Sequence, residues 1–295
     1  MAGEKEQWIY LDGEFVTKEK AVVSVYDHGF LYGDGIFEGI RIYNGNIFKC
    51  KEHLERLYDS AKSIMLNIPL SFDEMQDALI ETLRRNELHS GYIRLIVSRG
   101  PGNLGLDPNR CERATVIIIA EQLAIYSEEA YRTGLKTVSV STRRNIPDAL
   151  NPKIKSLNYL NNILVKIQSN LSEAGEAIMM NAQGYVTEGS SDNIFIIKKD
   201  TIYTPPCYLG ALDGITRQTI IEICNRKGYK LKEEPFTLHD VYVADEVFLT
   251  GTAAEVIAVR EVDGRVIGQG FAGPMTLRLL EEFRSVVNHD GVKVW

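Results

Sequence analysis

The chain has 295 residues, 44% of them hydrophobic and 25% charged, and a net charge of −7 at pH 7. This length is enough for about two domains, and this composition is typical of a folded globular protein. The negative charge argues against nucleic-acid binding, because no broad basic face is available for phosphates. The 4 cysteines form no C-x-x-C pair and the 5 histidines have no ligand spacing, so neither a disulfide framework nor a metal site is predicted.

The amino-terminal sequence MAGEKEQWIYLDG is too polar for a signal peptide. No apolar stretch approaches the roughly 18 residues that a membrane-spanning helix needs. We therefore expect a cytoplasmic protein with reduced thiols and without a membrane partner.

The first part of the chain predicts a small α+β domain, residues 1–121. Asp12-Gly13 and Asn44-Gly45 separate alternating apolar runs, which predicts two β-hairpins. A capping box of Ser71 and Glu74 opens the second of two amphipathic helices. The remaining predicted elements are the helix KEHLERLYDSAKSIML and the strands YIRLIVSRG and ATVIIIAEQL.

Residues 122–134 are polar and lack an apolar stripe, which predicts an interdomain linker. Residues 135–295 are then expected to form a larger, β-rich α/β domain, because strands outnumber helices and no regular βαβ alternation is visible. One helix is expected just after Lys155, where five apolar residues recur at helical spacing: Leu157, Leu160, Leu164, Ile167 and Leu171. Other helices are predicted in ITRQTIIEICNRKG and GPMTLRLLEEFRSVV.

Gly100 to Gly105 satisfies the pattern G-x-G-x-x-G after a predicted strand. A dinucleotide site requires that such glycines open a helix, whereas here they run into the turn sequence Leu106-Asp107-Pro108-Asn109. The pattern therefore predicts a loop.

Three features favour one cofactor. Lys155 precedes a helix, where a lysine can act as an amine nucleophile toward carbonyls. Gly214-Ile215-Thr216-Arg217 opens a helix whose free N–H groups can bind an anion, although a plain N-cap by Thr216 is the simpler interpretation. Glu188 lies between strand-like runs and could hold a proton on a heterocyclic nitrogen. A lysine, an anion site and an acid are what pyridoxal 5′-phosphate requires of its protein.

Seven segments together resemble the fold-type IV pyridoxal-phosphate enzymes, and among these most closely the branched-chain amino acid aminotransferases. The resemblance covers nearly the whole chain and implies a two-domain α/β fold with the cofactor between a small and a large domain. The segments are YGDGIFEGIR (32–41), EHLERLYDSAK (52–62), YIR (92–94), IKSLNYLNN (154–162), GYVTEGSSDNIF (184–195), GITR (214–217) and ADEVFLTGTAAEV (244–256).

The resemblance also implies a role for individual residues. Lys155 matches the Schiff-base lysine, with Lys153 as its rival, and Glu188 matches the partner of the ring nitrogen. The other residues matched to cofactor binding are Arg56, Ile215 and Thr216 for the phosphate, Tyr159 for the ring hydroxyl, and Thr252. The residues matched to substrate binding are Tyr32, Phe37, Gly39, Arg41, Tyr92, Arg94, Thr252 and Ala253.

The expected reaction is a ping-pong transfer of the amino group between branched-chain L-amino acids and 2-oxoglutarate or glutamate. The family also implies a homodimer or a higher homo-oligomer, because neighbouring subunits share their sites. Arg99 leaves a D-amino acid aminotransferase as an alternative, because it matches a carboxylate-binding arginine of those enzymes. An aminodeoxychorismate lyase on the same fold and a non-catalytic cofactor-binding module are further alternatives.

Overall fold

The computed structural model describes residues 6–123 and 126–295, which form two compact units. Unit 1 contains the described residues up to Leu123 together with Ile154–Asn158 and Val287–Trp295. Unit 2 contains the described residues from Tyr126 to Lys153 and Tyr159–Val286.

Unit 1 is built on a seven-stranded sheet. Its elements are β1 (Trp8–Leu11), β2 (Glu14–Thr17), α1 (His28–Tyr32), β3 (Gly35–Tyr43), β4 (Asn46–Phe48), α2 (Cys50–Ser63), α3 (Phe72–Asn86), β5 (Gly91–Ser98), β6 (Thr115–Glu121) and β16 (Gly291–Lys293), with 3-10 turns at Lys18–Lys20 and Pro108–Arg110. The strand order is β16-β4-β3-β5-β6-β1-β2. Both predicted hairpins are present, and each has two positive φ angles at its turn: 50° and 98° at Asp12-Gly13, and 48° and 76° at Asn44-Gly45.

Helices α2 and α3 cover one face of this sheet with the apolar stripes that their sequences predict. The capping box of Ser71 and Glu74 is confirmed at the start of α3. The Gly100 to Gly105 segment forms a loop followed by a 3-10 turn, and no α-helix opens there, as predicted. The core of unit 1 includes Ile36, Ile40, Leu54, Leu57, Met75 and Leu79.

Unit 2 is built on a nine-stranded sheet. Its elements are α4 (Glu128–Thr133), β7 (Leu135–Ser139), α5 (Leu160–Leu171), β8 (Glu176–Met180), β9 (Val186–Glu188), β10 (Asn193–Lys198), β11 (Thr201–Thr204), α6 (Ile215–Lys227), β12 (Lys230–Glu233), α7 (Leu238–Tyr242), β13 (Glu246–Gly251), β14 (Glu255–Val262), β15 (Arg265–Val266) and α8 (Pro274–Val286), with a 3-10 turn at Cys207–Leu209. Six of the strands close into a ring, because β9 pairs with both β8 and β10. Helices α5, α6 and α8 pack on the strands.

The two units differ from the predicted domain bounds. Two segments of the predicted larger domain, Ile154–Asn158 and Val287–Trp295, belong to unit 1 because they pair with strands β3 and β4. The predicted linker, residues 122–134, contains the short helix α4, whose Tyr131 is buried; its residues 124–125 lie outside the described part of the chain.

Helix α5 forms after Lys155, but its apolar stripe is exposed. The residues that the helix buries are Asn162, Val165 and Ser169. An amphipathic surface helix ordinarily turns its apolar stripe to the core, so α5 reverses the usual arrangement. The exposed apolar side chains are Leu160 (67% exposed), Ile163, Leu164, Ile167 and Leu171 (82%).

None of the helices in the described ranges combines the length and the apolar character that crossing a bilayer requires.

Candidate active site

Lys155 lies in a short extended segment that pairs with β3. The N–H of Phe37 donates to the carbonyl of Lys155 over 2.9 Å, and the N–H of Leu157 donates to the carbonyl of Gly35 over 2.9 Å. The Lys155 amine is half-buried, with Nζ 4.7 Å from the centre of the Phe37 ring. Lys153, its rival in the sequence, is exposed. The geometry therefore favours Lys155 as the lysine that is held in place by the scaffold.

Five of the eight residues matched to substrate binding share one face of the sheet in unit 1: Phe37, Gly39, Arg41, Tyr92 and Arg94. Strands β3 and β5 are antiparallel, with Gly39 opposite Arg94 and Arg41 opposite Tyr92. Directly opposed residues project to the same face, and Phe37 lies two residues from Gly39. The guanidinium of Arg94 is 4.5 Å from the Phe37 ring centre and 5.5 Å from that of Tyr92. The Lys155 amine over Phe37 belongs to this same face.

Gly39 is required on this face because the Tyr92 hydroxyl occupies the space of a side chain there. A Cβ added at position 39 would overlap that hydroxyl, and the Tyr92 ring would have to move. The glycine therefore leaves room for the Tyr92 hydroxyl against β3.

The opposite face of β3 carries a buried carboxylate that the sequence reasoning missed. Glu38 is fully buried among Ile36 and Ile40, and it accepts a hydrogen bond from His53 Nδ1 over 2.8 Å. Arg56 donates to both Glu38 oxygens, from Nε and from a terminal nitrogen, each over 2.8 Å. Glu38 thus fixes the guanidinium of Arg56, which the family resemblance matches to the cofactor phosphate.

The charges of this group follow from burial and pairing. Burial alone would raise the pKa of Glu38, but the Arg56 cation and the His53 hydrogen bond outweigh it and hold the pKa well below its usual range. Burial lowers the pKa of His53, and this effect exceeds the opposing effect of Glu38. His53 is therefore neutral at neutral pH and donates its Nδ1 proton to an ionised Glu38.

In unit 2, Glu188 ends β9 and is 5% exposed. Its Oε1 accepts a hydrogen bond from Arg144 Nε over 2.6 Å, and its Oε2 accepts from the Leu212 N–H over 2.9 Å and from Asn193 Nδ2 over 3.3 Å. Three donors, one of them a cation, converge on this carboxylate and hold it in one orientation.

Helix α6 begins next to this group with an N-terminus that no side chain caps. Gly214 is the N-cap, and Ile215 and Thr216 are the first two helical residues. The interpretation of Thr216 as the N-cap is therefore wrong, since Gly214 occupies that position. A Cβ at Gly214 would overlap Asn193 Oδ1, so glycine lets the helix start against Asn193. The N–H groups of Ile215 and Thr216 remain suited to an anion.

The turn between β13 and β14 contains Thr252 and Ala253. It follows Thr250, which is in line with Glu188 across the sheet. Thr250 is opposite Asn193, which is opposite Glu188, so these three side chains project to one face of the sheet. The buried hydroxyl of Thr250 has no hydrogen-bond partner within the described ranges. An unsatisfied buried hydroxyl beside a carboxylate and an open helix N-terminus fits a polar ligand with an anionic group.

Three other residues lie in different settings. Tyr32 ends α1 outside the β3–β5 row, where its hydroxyl accepts a hydrogen bond from the Gly105 N–H over 3.0 Å. Tyr159 is the N-cap residue of α5 in unit 2. Arg99 donates to both oxygens of Asp34 and to the carbonyls of Ile64 and Met65, so its guanidinium holds a loop. This engagement argues against the role in substrate binding on which the D-amino acid alternative depends.

The chain belongs to the class IV aminotransferases, because residues 35–262 match the model of the family amino-transferase class IV. A Methanocaldococcus jannaschii protein that is provisionally named a branched-chain-amino-acid aminotransferase is 50% identical over 287 residues, which are 97% of this chain and 99% of that protein. The branched-chain-amino-acid aminotransferase of Pseudomonas aeruginosa is 40% identical over 285 residues, 95% of this chain and 92% of its own.

Solved structures agree with this assignment. The T.th. branched-chain amino acid aminotransferase with pyridoxamine 5′-phosphate has a TM-score of 0.92 and 39% identity, covering 96% of this chain and 94% of that one. The Escherichia coli branched-chain amino acid aminotransferase has a TM-score of 0.93 and 35% identity, covering 99% and 98%. The predicted fold-type IV architecture and the predicted family are confirmed.

The lowered pKa of His53 predicts a pH dependence of stability. Below about pH 6.5, the ordinary value for histidine, the unfolded chain binds a proton that the folded chain excludes, so the free energy of unfolding falls by up to about 1.4 kcal/mol per pH unit. We expect the urea midpoint to drop less between about pH 7 and pH 5.5 in His53→Gln than in the parent chain. His289→Gln, at an exposed histidine, is the control; equal drops in parent and His53→Gln would contradict the assignment.

Gly39→Ala is expected to destabilise the chain by about 1–3 kcal/mol, the usual cost of overpacking, because the new methyl group displaces Tyr92. Urea unfolding measures the loss. Gly175→Ala is the matched control, since its nearest contact would be a flexible leucine side chain at 3.3 Å. The double variant Gly39→Ala/Tyr92→Phe should recover part of the loss, and no recovery would mean that the hydroxyl is not the obstacle.

Proposed function

We propose that this chain is a pyridoxal-phosphate-dependent transaminase that moves the amino group between branched-chain L-amino acids (leucine, isoleucine and valine) and 2-oxoglutarate. The observation that carries the proposal is the half-buried Lys155 amine on the same sheet face as Phe37, Gly39 and Arg94. Membership of the class IV family supports the reaction type. The names of relatives that match nearly the full chain support the substrate class.

The residues of the chain fit the cofactor in chemical type. When bound, pyridoxal phosphate supplies a ring that accepts the electrons released at the substrate Cα. Lys155 would hold the cofactor until the substrate amine displaces it, and the Lys155 amine would then act as general base toward the proton on the substrate Cα. Glu188 holds the proton on the ring nitrogen. The phosphate would be held by Arg56 and by the N–H groups of Ile215 and Thr216. Tyr159 would bind the ring hydroxyl, and Thr252 is assigned to the cofactor as well.

The substrate residues have two tasks. Phe37, Gly39 and Tyr92 offer an apolar surface for an aliphatic side chain, and Tyr32 is assigned to the same surface. Arg41 and Arg94 offer guanidinium groups for the second carboxylate of glutamate. The backbone of Thr252 and Ala253 receives the carboxylate that both substrates share. One site can thereby accept a branched-chain amino acid and glutamate in turn, which is what ping-pong kinetics require.

The first test is the visible spectrum of the pyridoxal-phosphate-loaded protein after addition of L-leucine or D-alanine, with no oxo acid present. We expect L-leucine alone to convert the cofactor to its aminated form and to release one equivalent of 2-oxo acid. Lys155→Ala should abolish steady-state turnover, whereas Lys153→Ala, at the exposed neighbour, should leave it nearly unchanged. A response to D-alanine alone would overturn the substrate assignment, and full turnover in Lys155→Ala would overturn the mechanism.

We also propose that the chain forms a homodimer or a higher homo-oligomer and that it is cytoplasmic. Helix α5 supports self-association, because five apolar side chains, from Leu160 to Leu171, are exposed along one side of it. Contiguous exposed apolar surface marks interaction sites. The stripe carries no charge, so two copies of it can pack against each other across a twofold axis.

Leu164→Glu/Ile167→Glu should shift the sedimentation coefficient toward that of a smaller species, because two charges would be buried in the interface. Val266→Glu, an equally apolar exposed position on β15, is the control and should leave the assembly unchanged. An oligomer unaffected by the double change would exclude the α5 stripe from the subunit interface.

A further inference from the structure

Arg144 is a buried arginine that connects three elements of unit 2. It follows β7 in the chain, its backbone N–H donates to the Met180 carbonyl over 2.9 Å, and its side chain is 7% exposed. Its Nε donates to Glu188 Oε1 over 2.6 Å, and a terminal nitrogen donates to Asn162 Oδ1 on α5 over 3.3 Å. The guanidinium therefore lies between the helix that follows Lys155 and the carboxylate of Glu188.

Asn162 fixes the other side of this connection. Its Nδ2 donates to the Ser190 carbonyl over 2.7 Å, so its Oδ1 faces Arg144 in a defined orientation. Asn162 and Ser190 are 7% and 6% exposed, and water competes little for these bonds. A buried polar network in which every member has its partner holds its charged groups in one arrangement.

We propose that Arg144 is a positioning residue that keeps Glu188 ionised and in place, so that Glu188 can hold the proton on the ring nitrogen of the cofactor. The proposal rests on the proposed function of Glu188. Arg144 acts only through Glu188.

The reason is the position of the cation relative to the shared proton. One proton can reside on the ring nitrogen, leaving a carboxylate, or on Glu188, leaving both groups neutral. Desolvation favours the neutral arrangement, because a buried charge loses its hydration. Arg144, in direct contact with Oε1, stabilises the carboxylate and so favours the proton on the nitrogen. The Leu212 N–H and Asn193 act in the same direction but carry no charge.

The test uses the full-length protein loaded with pyridoxal phosphate that is ¹⁵N-labelled in the ring, and follows the ring-nitrogen chemical shift against pH. The chemical shift reports directly whether the nitrogen carries a proton. The variants are Arg144→Gln, Arg144→Lys and Glu188→Gln. Arg143→Gln is the matched control, because Arg143 is the adjacent arginine in the chain and is exposed.

We expect the ring-nitrogen chemical shift at neutral pH to move toward that of an unprotonated nitrogen in Arg144→Gln, to move less in Arg144→Lys, which keeps the charge, and to stay unchanged in Arg143→Gln. A chemical shift in Arg144→Gln equal to that of the parent would overturn the proposal. If Arg144→Gln does not fold, Arg144→Leu, which also removes the charge, takes its place in the same comparison.

Failure of the proposed function would look different. A parent protein that takes up no pyridoxal phosphate, or a Glu188→Gln variant whose ring nitrogen titrates as in the parent, would remove the role of Glu188 itself. A ring-nitrogen chemical shift unchanged in Arg144→Gln, together with a changed one in Glu188→Gln, would leave Glu188 in its role and refute only the part assigned to Arg144.

Discussion

Burying a carboxylate costs several kcal/mol unless a cation and hydrogen-bond donors replace the lost water, and each unit of this chain meets that cost with an arginine. In unit 1, Arg56 contacts both oxygens of Glu38. In unit 2, Arg144 contacts Glu188. Removing either arginine would leave a buried charge uncompensated, so each pair requires its helix or loop to stay in place on the strand. Two of the groups assigned to the cofactor, Arg56 and Glu188, are members of these pairs.

The alternation of strand β3 separates two tasks that a single surface could not perform. Ile36, Glu38 and Ile40 face α2 and build the core, while Phe37 and Gly39 face the other way. A shift of one residue in the β3–β5 register would move every one of these side chains to the wrong face. The overlap of Tyr92 with any side chain at position 39 opposes such a shift, because only glycine tolerates the ring there.

Local elements could be predicted from the sequence because their determinants are local: a turn dipeptide at Asn44-Gly45, or a capping box at Ser71 and Glu74. The carboxylate networks could not be predicted, because Arg144 lies 44 residues from Glu188 and nothing near it in the chain marks it as buried. Glu38 did carry a signal, since a charged residue within the apolar alternation of β3 requires a buried partner. The period of α5 predicted a helix, but periodicity does not reveal which face the fold covers.

In unit 2, two glycines allow the N-terminus of α6 and the β13–β14 turn to lie close to the strands that carry Glu188 and Asn193. Gly214 lets α6 start against Asn193, and Gly251 lets the β13–β14 turn approach Asp192, where a Cβ would overlap the carboxylate. Both glycines have a negative φ, so the need for them is close approach and not backbone conformation. An open helix N-terminus attracts an anion, and a paired carboxylate attracts a protonated nitrogen. A ring that carries an anionic group and a protonated nitrogen would therefore match the charges at the α6 N-terminus and at Glu188.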